Sequence, residues 1–386
     1  MSTASHSMQA MLEREVEIFL KNSPRPALRG AVVSAVNRFD FSYGLDEHAA
    51  EPVFEVGSFG KTLTTTLLAM LVREGVVSLD DPLRRFRPGY AFGDQVTLRH
   101  LASHSSGLPS NPVPLRKMVF GGRRHLAAFG KSDLEEFLGQ RFARAPVTGR
   151  FNYSNPGMAL LGHVLGDCLG MSYERAVSER ILEPLGMSET RIDPGSYAAD
   201  RLAGGHSAWG RTVPGFEWPG MEPAGLWRST VPDMLCFMSA MAGLKKGPWA
   251  DLAAYMVRPQ VAVGSDMDIG LGWMLSVIDG LGTYAWHNGG TFGQHAVGGW
   301  LIEHETAVVI LTNRRPPLWH HLIASRCLEG LAERIIAMTA GCASCETRRL
   351  HFEVDERELQ SGPPCARHWS IRTTPRSSEG SSKGNQ

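Results

Sequence analysis

Phe54-Glu55-Val56-Gly57-Ser58-Phe59-Gly60-Lys61-Thr62-Leu63 decides the reading of this chain, because it holds the only Ser-x-x-Lys in the sequence. The residues that follow, Thr64-Thr65-Thr66-Leu67-Leu68-Ala69-Met70-Leu71-Val72-Arg73, set Leu63, Leu67, Met70 and Leu71 at i, i+4, i+7 and i+8. That is the period of an amphipathic helix, so Ser58 is expected to open one, with Lys61 on the same face. A serine hydroxyl is a weak nucleophile until a base takes its proton, and a neutral lysine amine beside it could do so. The unpaired N–H groups and positive potential of a helix N-terminus suit an oxyanion formed there. The pattern also has a plain alternative, a capping serine followed by a surface lysine. What decides between them is whether the rest of the chain supplies partners.

Composition allows the sharper reading. The 386 residues are 43% hydrophobic and 20% charged, enough to bury a large core in one bilobal unit or two domains. Basic and acidic residues balance at 39 each, which points to no nucleic-acid partner and no electrostatic hold on an acidic membrane. Glu13, Arg14, Glu15 and Glu17 interrupt the place where a signal peptide needs an apolar core. No apolar run approaches the ~20 residues of a membrane span. The expected location is therefore cytoplasmic, with no membrane association. Cys168 and Cys236 fall in apolar helical patterns and the remaining cysteines lie beyond residue 320, unlike a secreted disulfide framework. Cys342-x-x-Cys345 and Cys365-x-x-His368 have roughly the spacing of a zinc ribbon, but the segment is short, partly polar and adjoins a polar tail. Unliganded thiols are the expectation there, and no metal or cofactor is expected at the site.

Taken in order, residues 10 to 22 read as a short charged helix ended by Asn22-Ser23-Pro24. Residues 30–36, 39–43 and 54–56 read as strands, the last leading into Ser58. Gly75 is the expected end of the helix from Ser58. Thr97 caps a short helix that closes in the loop Ser103-His104-Ser105-Ser106-Gly107-Leu108-Pro109. His104 is read as a histidine bonding its own loop, since its neighbours are small loop formers with no paired carboxylate. Residues 111–150 are Arg-rich with one helix near Lys131 to Leu138, and are the expected place for substrate-shaping loops.

Phe151-Asn152-Tyr153-Ser154-Asn155-Pro156-Gly157 precedes another apolar helix, with Asn155 expected at the N-cap and Pro156 at the first helical position. Tyr153 and Asn155 then share a turn where a phenol and an amide can point the same way; a buried tyrosine beside a capping asparagine is the alternative. Further helices are expected from Ser172 to Met187 and from Asp233 to Met241, with loops over 194–228. From residue 269 the pattern turns to strands at 271–277, 284–287, 296–302 and 306–311, followed by a closing helix over 318–338 whose Leu322, Leu331 and Ile335 can cover the sheet. Glycines crowd His287-Asn288-Gly289-Gly290-Thr291-Phe292-Gly293 at a strand end, where a ligand can approach the backbone closely. Arg372 to Gln386 lacks core formers and is expected to be disordered. It includes Gly380-Ser381-Ser382-Lys383-Gly384, a Gly-x-Ser-x-Gly by letter only, with no strand before it or helix after it.

As a set these motifs resemble the serine β-lactamase and penicillin-binding-protein family, closest to its class C-like branch of esterases, D-aminopeptidases, D-Ala-D-Ala carboxypeptidases and acyltransferases. Ser58-Phe59-Gly60-Lys61 resembles its Ser-x-x-Lys, Tyr153-Ser154-Asn155 its Tyr-x-Asn, and His287-Asn288-Gly289 its Lys/His-Thr/Ser-Gly. The linking stretches Val77-Ser78-Leu79-Asp80-Asp81-Pro82, Leu101 to Pro109 and Leu182-Glu183-Pro184-Leu185-Gly186-Met187 are similar too. The resemblance covers about residues 28 to 338. It implies an α+β (α/β β-lactamase/transpeptidase-like) fold, an antiparallel sheet flanked by helices with an inserted, mostly helical subdomain. On that basis 1–27 is an N-terminal helical extension and 28–338 the hydrolase domain, its sheet part at about 28–75 and 240–338 and its helical part at about 76–239. Residues 339–386 form a C-terminal extension, largely disordered.

The resemblance also implies roles. Ser58 becomes acylated, Lys61 and Tyr153 share the proton transfers, Asn155 orients Lys61 and the substrate amide, and the N–H groups of Ser58 and Gly290 form the oxyanion hole. His287 and Asn288 join Asn155 in substrate binding. A departure matters here: His287 replaces the lysine of the best-known β-lactamases and Asn288 the usual hydroxyl residue. A neutral histidine lacks the fixed charge that holds a substrate carboxylate. The expectation is thus a serine hydrolase acting on a small-molecule ester, amide or acyl-carrier substrate. Acyl transfer to an alcohol or amine, β-lactam or D-Ala-D-Ala cleavage, and a non-catalytic binding protein on the same fold are the alternatives.

Overall fold

The β-branched and glycine-rich runs on either side of the inserted helical part meet in one sheet. A computed structural model describes residues 3–20, 27–45, 50–112, 124–141, 148–315 and 327–341. Its main sheet combines β1 (Leu28–Val33) and β2 (Arg38–Tyr43) with β7 (Val261–Ala262), β8 (Met267–Ile269), β9 (Met274–Ile278), β10 (Gly282–Gly290), β11 (His295–Leu301) and β12 (Thr306–Thr312). The order is β2-β1-β12-β11-β10-β9-β8-β7, and each neighbouring pair is antiparallel. Short pairs lie outside it, β3 (Phe54–Glu55) with β6 (Arg228–Ser229) and β4 (Gly205–His206) with β5 (Thr212–Val213). This is an α+β fold, an antiparallel sheet flanked by helices, in which the chain leaves the sheet after β2 and returns at β7.

The strand expected from Leu271 starts only at Met274. Gly272 adopts φ +75°, and a Cβ there would stand 2.5 Å from Thr65 Oγ1, so residues 270–273 form a turn packed on the helix after Ser58. Strands β7 and β8 are too short for alternation to have revealed them.

Each face of the sheet buries a separate core. One face carries the helices Thr3–Leu20 and Leu328–Gly341. Met8, Leu12, Val16 and Leu20 are buried at four-residue spacing, and Leu328, Leu331, Ile335 and Ile336 are wholly buried against the same strands. Each such aliphatic side chain contributes about 1.5–3 kcal/mol on burial. The N-terminal helix is longer than the expected 10–22 and packs directly on this face; Arg334 Nε donates to Glu15 Oε2 at 2.8 Å between the two helices. Leu322 of the expected closing helix lies outside the described residues.

The other face holds the helix Lys61–Arg73 and the inserted helical part. That helix is not amphipathic. Lys61, Thr62, Leu63, Thr64, Thr65, Thr66, Leu67, Leu68, Ala69 and Leu71 are all buried. Its threonines are affordable inside because their hydroxyls find acceptors, Thr62 Oγ1 on Phe59 O at 2.7 Å and Thr64 Oγ1 on Pro223 O at 2.8 Å. The helix ends as read, with Gly75 in the left-handed region at φ +72°. Thr97 caps the helix Leu98–Ala102 in a capping box.

Candidate active site

Ser58 does not sit in the α-helix itself. Gly57–Gly60 forms a 3-10 turn that runs into the helix at Lys61. Gly57 has φ +53°, a conformation glycine adopts without steric cost. The turn still keeps positions 58 and 61 on one side: Lys61 Nζ lies 2.8 Å from Ser58 Oγ. The same nitrogen donates to the Ala224 carbonyl at 2.5 Å and stands 5.0 Å from the centre of the Tyr153 ring. Lys61 is wholly buried, and desolvation holds its amine well below the ordinary lysine range. A neutral amine anchored on Ala224 O keeps a lone pair that can accept the Ser58 proton.

Glycines bring three backbones together around Ser58. A Cβ on Gly289 of β10 would stand 1.9 Å from Val56 O and 2.9 Å from Ser58 N. One on Gly57 would stand 2.8 Å from Gly290 N, and one on Gly225, at φ +130°, 2.4 Å from Gly57 O. Strand β10 and the Ala224-Gly225 turn thus press on the serine turn from two sides. The N–H groups of Ser58 and Gly290 lie at this junction.

Tyr153, far from Lys61 in sequence, is brought over it by the loop before the helix Asn155–Cys168. The cap of that helix is Ser154, not Asn155: Ser154 Oγ accepts from Gly157 N at 3.0 Å, and Asn155 becomes the first helical residue. Asn155 Nδ2 donates to Asn111 Oδ1 at 2.8 Å. The carbonyl of Ala224, rather than the Asn155 amide, is what orients Lys61. His104 is wholly buried beside Tyr153, and its ring bonds outside its own loop, Nδ1 accepting from Ser154 N at 3.2 Å.

On β10 successive side chains face opposite sides. Ala285 belongs to the core on the Ser58 face, and Tyr284 and Trp286 to the core under the helices Thr3–Leu20 and Leu328–Gly341. His287 follows Ala285 and Asn288 follows Trp286. Asn288 Nδ2 accordingly donates to Glu329 Oε1 at 2.5 Å, on the helix face, which takes its side chain out of the cleft. His287 is buried, with Nδ1 donating to the Asn288 carbonyl at 2.5 Å. Burial first, then the nearby Lys61, lowers its pKa to about 3, so the ring is neutral.

The β-lactamase family model matches residues 29–326. The chain belongs to the β-lactamase family. It is 25% identical over 281 residues to penicillin-binding protein 4* of Bacillus subtilis (strain 168), covering 68% of this chain and 61% of that protein. It is 27% identical over 248 residues to a β-lactamase of Lysobacter lactamgenus, covering 61% of this chain and 60% of that protein. The chain thus spans less than two thirds of the length of these relatives. A solved class C β-lactamase superposes with a TM-score of 0.74 at 19% identity, over 89% of this chain and 98% of that one. A β-lactamase/D-alanine carboxypeptidase from Pseudomonas syringae gives 0.72 at 18%, over 85% and 98%. These structures share the fold of this chain.

Within this β-lactamase-family chain, sequence reading missed Ala224, Gly225 and the reach of His104. Ala224 acts through a carbonyl that every residue possesses, so no letter marks it. For Asn288 a signal existed, since neighbours on a strand cannot both face one cleft. Among the described residues no group of three or more His, Cys, Asp or Glu side chains could hold a metal ion, and no helix is long and apolar enough to cross a membrane. Cys342, Cys345, Cys365 and His368 lie outside the described residues.

Proposed function

We propose that this β-lactamase-family chain is a serine hydrolase that cleaves a neutral carboxylic ester, or an amide, through an acyl-Ser58 intermediate. The observation that carries the reading is the contact of the buried Lys61 amine with Ser58 Oγ at 2.8 Å. Ser58 Oγ attacks the substrate carbonyl carbon as its proton passes to Lys61. The N–H groups of Ser58 and Gly290 receive the oxyanion, a contribution of about 2.7–4 kcal/mol per donor. Collapse breaks the ester or amide bond, and the leaving alcohol or amine takes the proton back from Lys61 with Tyr153 as the second proton carrier. Water then attacks the acyl-serine along the same path and releases the acid. Asn155 and His287 are the side chains assigned to substrate contact.

The preference for an uncharged substrate rests on His287, which supplies no cation at neutral pH. The relatives favour a second reading, since their names include β-lactamase and penicillin-binding protein. Transfer of the acyl group to an alcohol or amine is a third outcome of the same acyl-enzyme. The test is incubation with short-chain p-nitrophenyl esters and with nitrocefin, followed by mass analysis of the Ser58 peptide. An ester turnover with a Ser58 adduct, absent in Ser58→Ala, is expected. No adduct and no turnover, or equal turnover by Ser58→Ala, overturns the enzyme reading. Nitrocefin turned over in preference to esters moves the substrate to β-lactams, and rates raised by added alcohols or amines favour transfer.

A further inference from the structure

His104 is held in a left-handed backbone conformation that is uncommon for a residue with a Cβ. Its φ is +52°, and of the described non-glycine residues only Glu305, in the turn between β11 and β12, is also positive. Glu305 is exposed; His104 is not exposed at all. What holds it is a set of contacts to three consecutive residues of the Tyr153 loop. The His104 carbonyl accepts from Asn152 N at 2.7 Å. Its Nδ1 accepts from Ser154 N at 3.2 Å. Its ring lies on the Tyr153 ring, centroids 4.3 Å apart with planes tilted by 34°.

The donor at Ser154 fixes the tautomer. Nδ1 must be bare to accept an N–H, so the imidazole proton sits on Nε2, which is buried without a hydrogen-bond partner among the described residues. A cationic ring would turn an N–H towards the Ser154 N–H. Burial first, then Lys61 and His287, disfavour that cation. Mere filling of space would need neither the bare nitrogen nor the left-handed backbone.

We propose that His104 is the positioning residue for Tyr153, clasping the main chain on either side of it and one face of its ring, and so setting where that ring stands over the Lys61 amine. The proposal rests on the reading of Ser58 as nucleophile with Tyr153 in its proton transfers.

The test is a double-mutant cycle in the full chain. His104→Gly keeps the left-handed backbone without strain, and His104→Asn, a residue that tolerates it, is the second variant. Each is combined with Tyr153→Phe, and kcat and KM for a p-nitrophenyl ester are measured beside thermal unfolding. His104→Gly is expected to lower kcat by about 10²-fold, the scale of one proton-transfer contribution, with KM within about twofold. Tyr153→Phe should cost little more in that background, because a displaced phenol has already lost its role. Multiplicative losses, or an unchanged kcat in a folded variant, overturn the proposal. A second measurement needs no turnover: the ultraviolet titration of Tyr153, taken as the difference from Tyr153→Phe, should move on His104→Gly. If the wild type hydrolyses nothing, the functional reading fails while this titration still decides for or against His104.

Discussion

The amine of Lys61 and the hydroxyl of Ser58 lie 2.8 Å apart, and the lysine is wholly buried. A buried amine is a useful base only because it is costly to charge, so activity and stability pull against each other at this residue.

Lys61→Met is therefore expected to abolish most turnover while raising the unfolding temperature at neutral pH. In the unfolded chain the amine binds a proton up to about pH 10.4; in the folded chain its pKa is lowered. The unfolded state thus holds more protons, and wild-type stability rises with pH across that window. The variant's advantage should shrink as pH approaches 10. A lower unfolding temperature for Lys61→Met at every pH would count against the buried neutral amine.

Gly289→Ala and Gly225→Ala should each disrupt the serine turn, since their methyl groups would meet Val56 O at 1.9 Å and Gly57 O at 2.4 Å. Backbone on both sides leaves nothing to give way. Gly264→Ala, where a Cβ meets nothing within 4 Å, is the control. Loss of turnover with a lowered unfolding temperature is expected for the first pair and neither for the control. Active, stable Gly289→Ala would refute the packing of β10 on Ser58.

His287 has its pKa lowered to about 3, against an unfolded value of about 6.5. The stability from burying it neutral is complete above pH 6.5 and is lost as pH falls towards 3. His287→Gln, which does not titrate, should show a shallower fall of unfolding temperature between pH 7 and 4. Parallel curves for the two proteins would show that His287 does not titrate low.

Asn288→Ala is expected to destabilise by about 1.5–3 kcal/mol, the cost of a hydrogen bond to a charged group, with KM little changed. Its amide bonds Glu329 at 2.5 Å on the helix face of the sheet. Urea unfolding of Asn288→Ala, Glu329→Ala and the double variant should reveal coupling between them. A tenfold rise in KM at unchanged stability would return the Asn288 side chain to the cleft.

Local chemistry was legible wherever neighbours in sequence are neighbours in space. The spacing of Ser58 and Lys61, the Thr97 cap, the Gly75 stop and the strands read over 284–287 and 306–311, which lie within β10 and β12, could all be read from the chain, because helical and strand periods place side chains three or two residues apart together. Capping was misassigned by one residue at Ser154 and Asn155, since both types cap well and only the Ser154 bond to Gly157 N separates them.

The Ser-x-x-Lys thus defined by itself which hydroxyl and which amine face each other, through one turn of backbone geometry. Only the tertiary structure decided what stands around them. The Ala224 carbonyl that steers Lys61, the His104 ring beneath Tyr153 and the exit of Asn288 to Glu329 depend on segments remote in sequence. A carbonyl and a ring face carry no letter of their own, and their positions follow from how the sheet and the inserted helices pack.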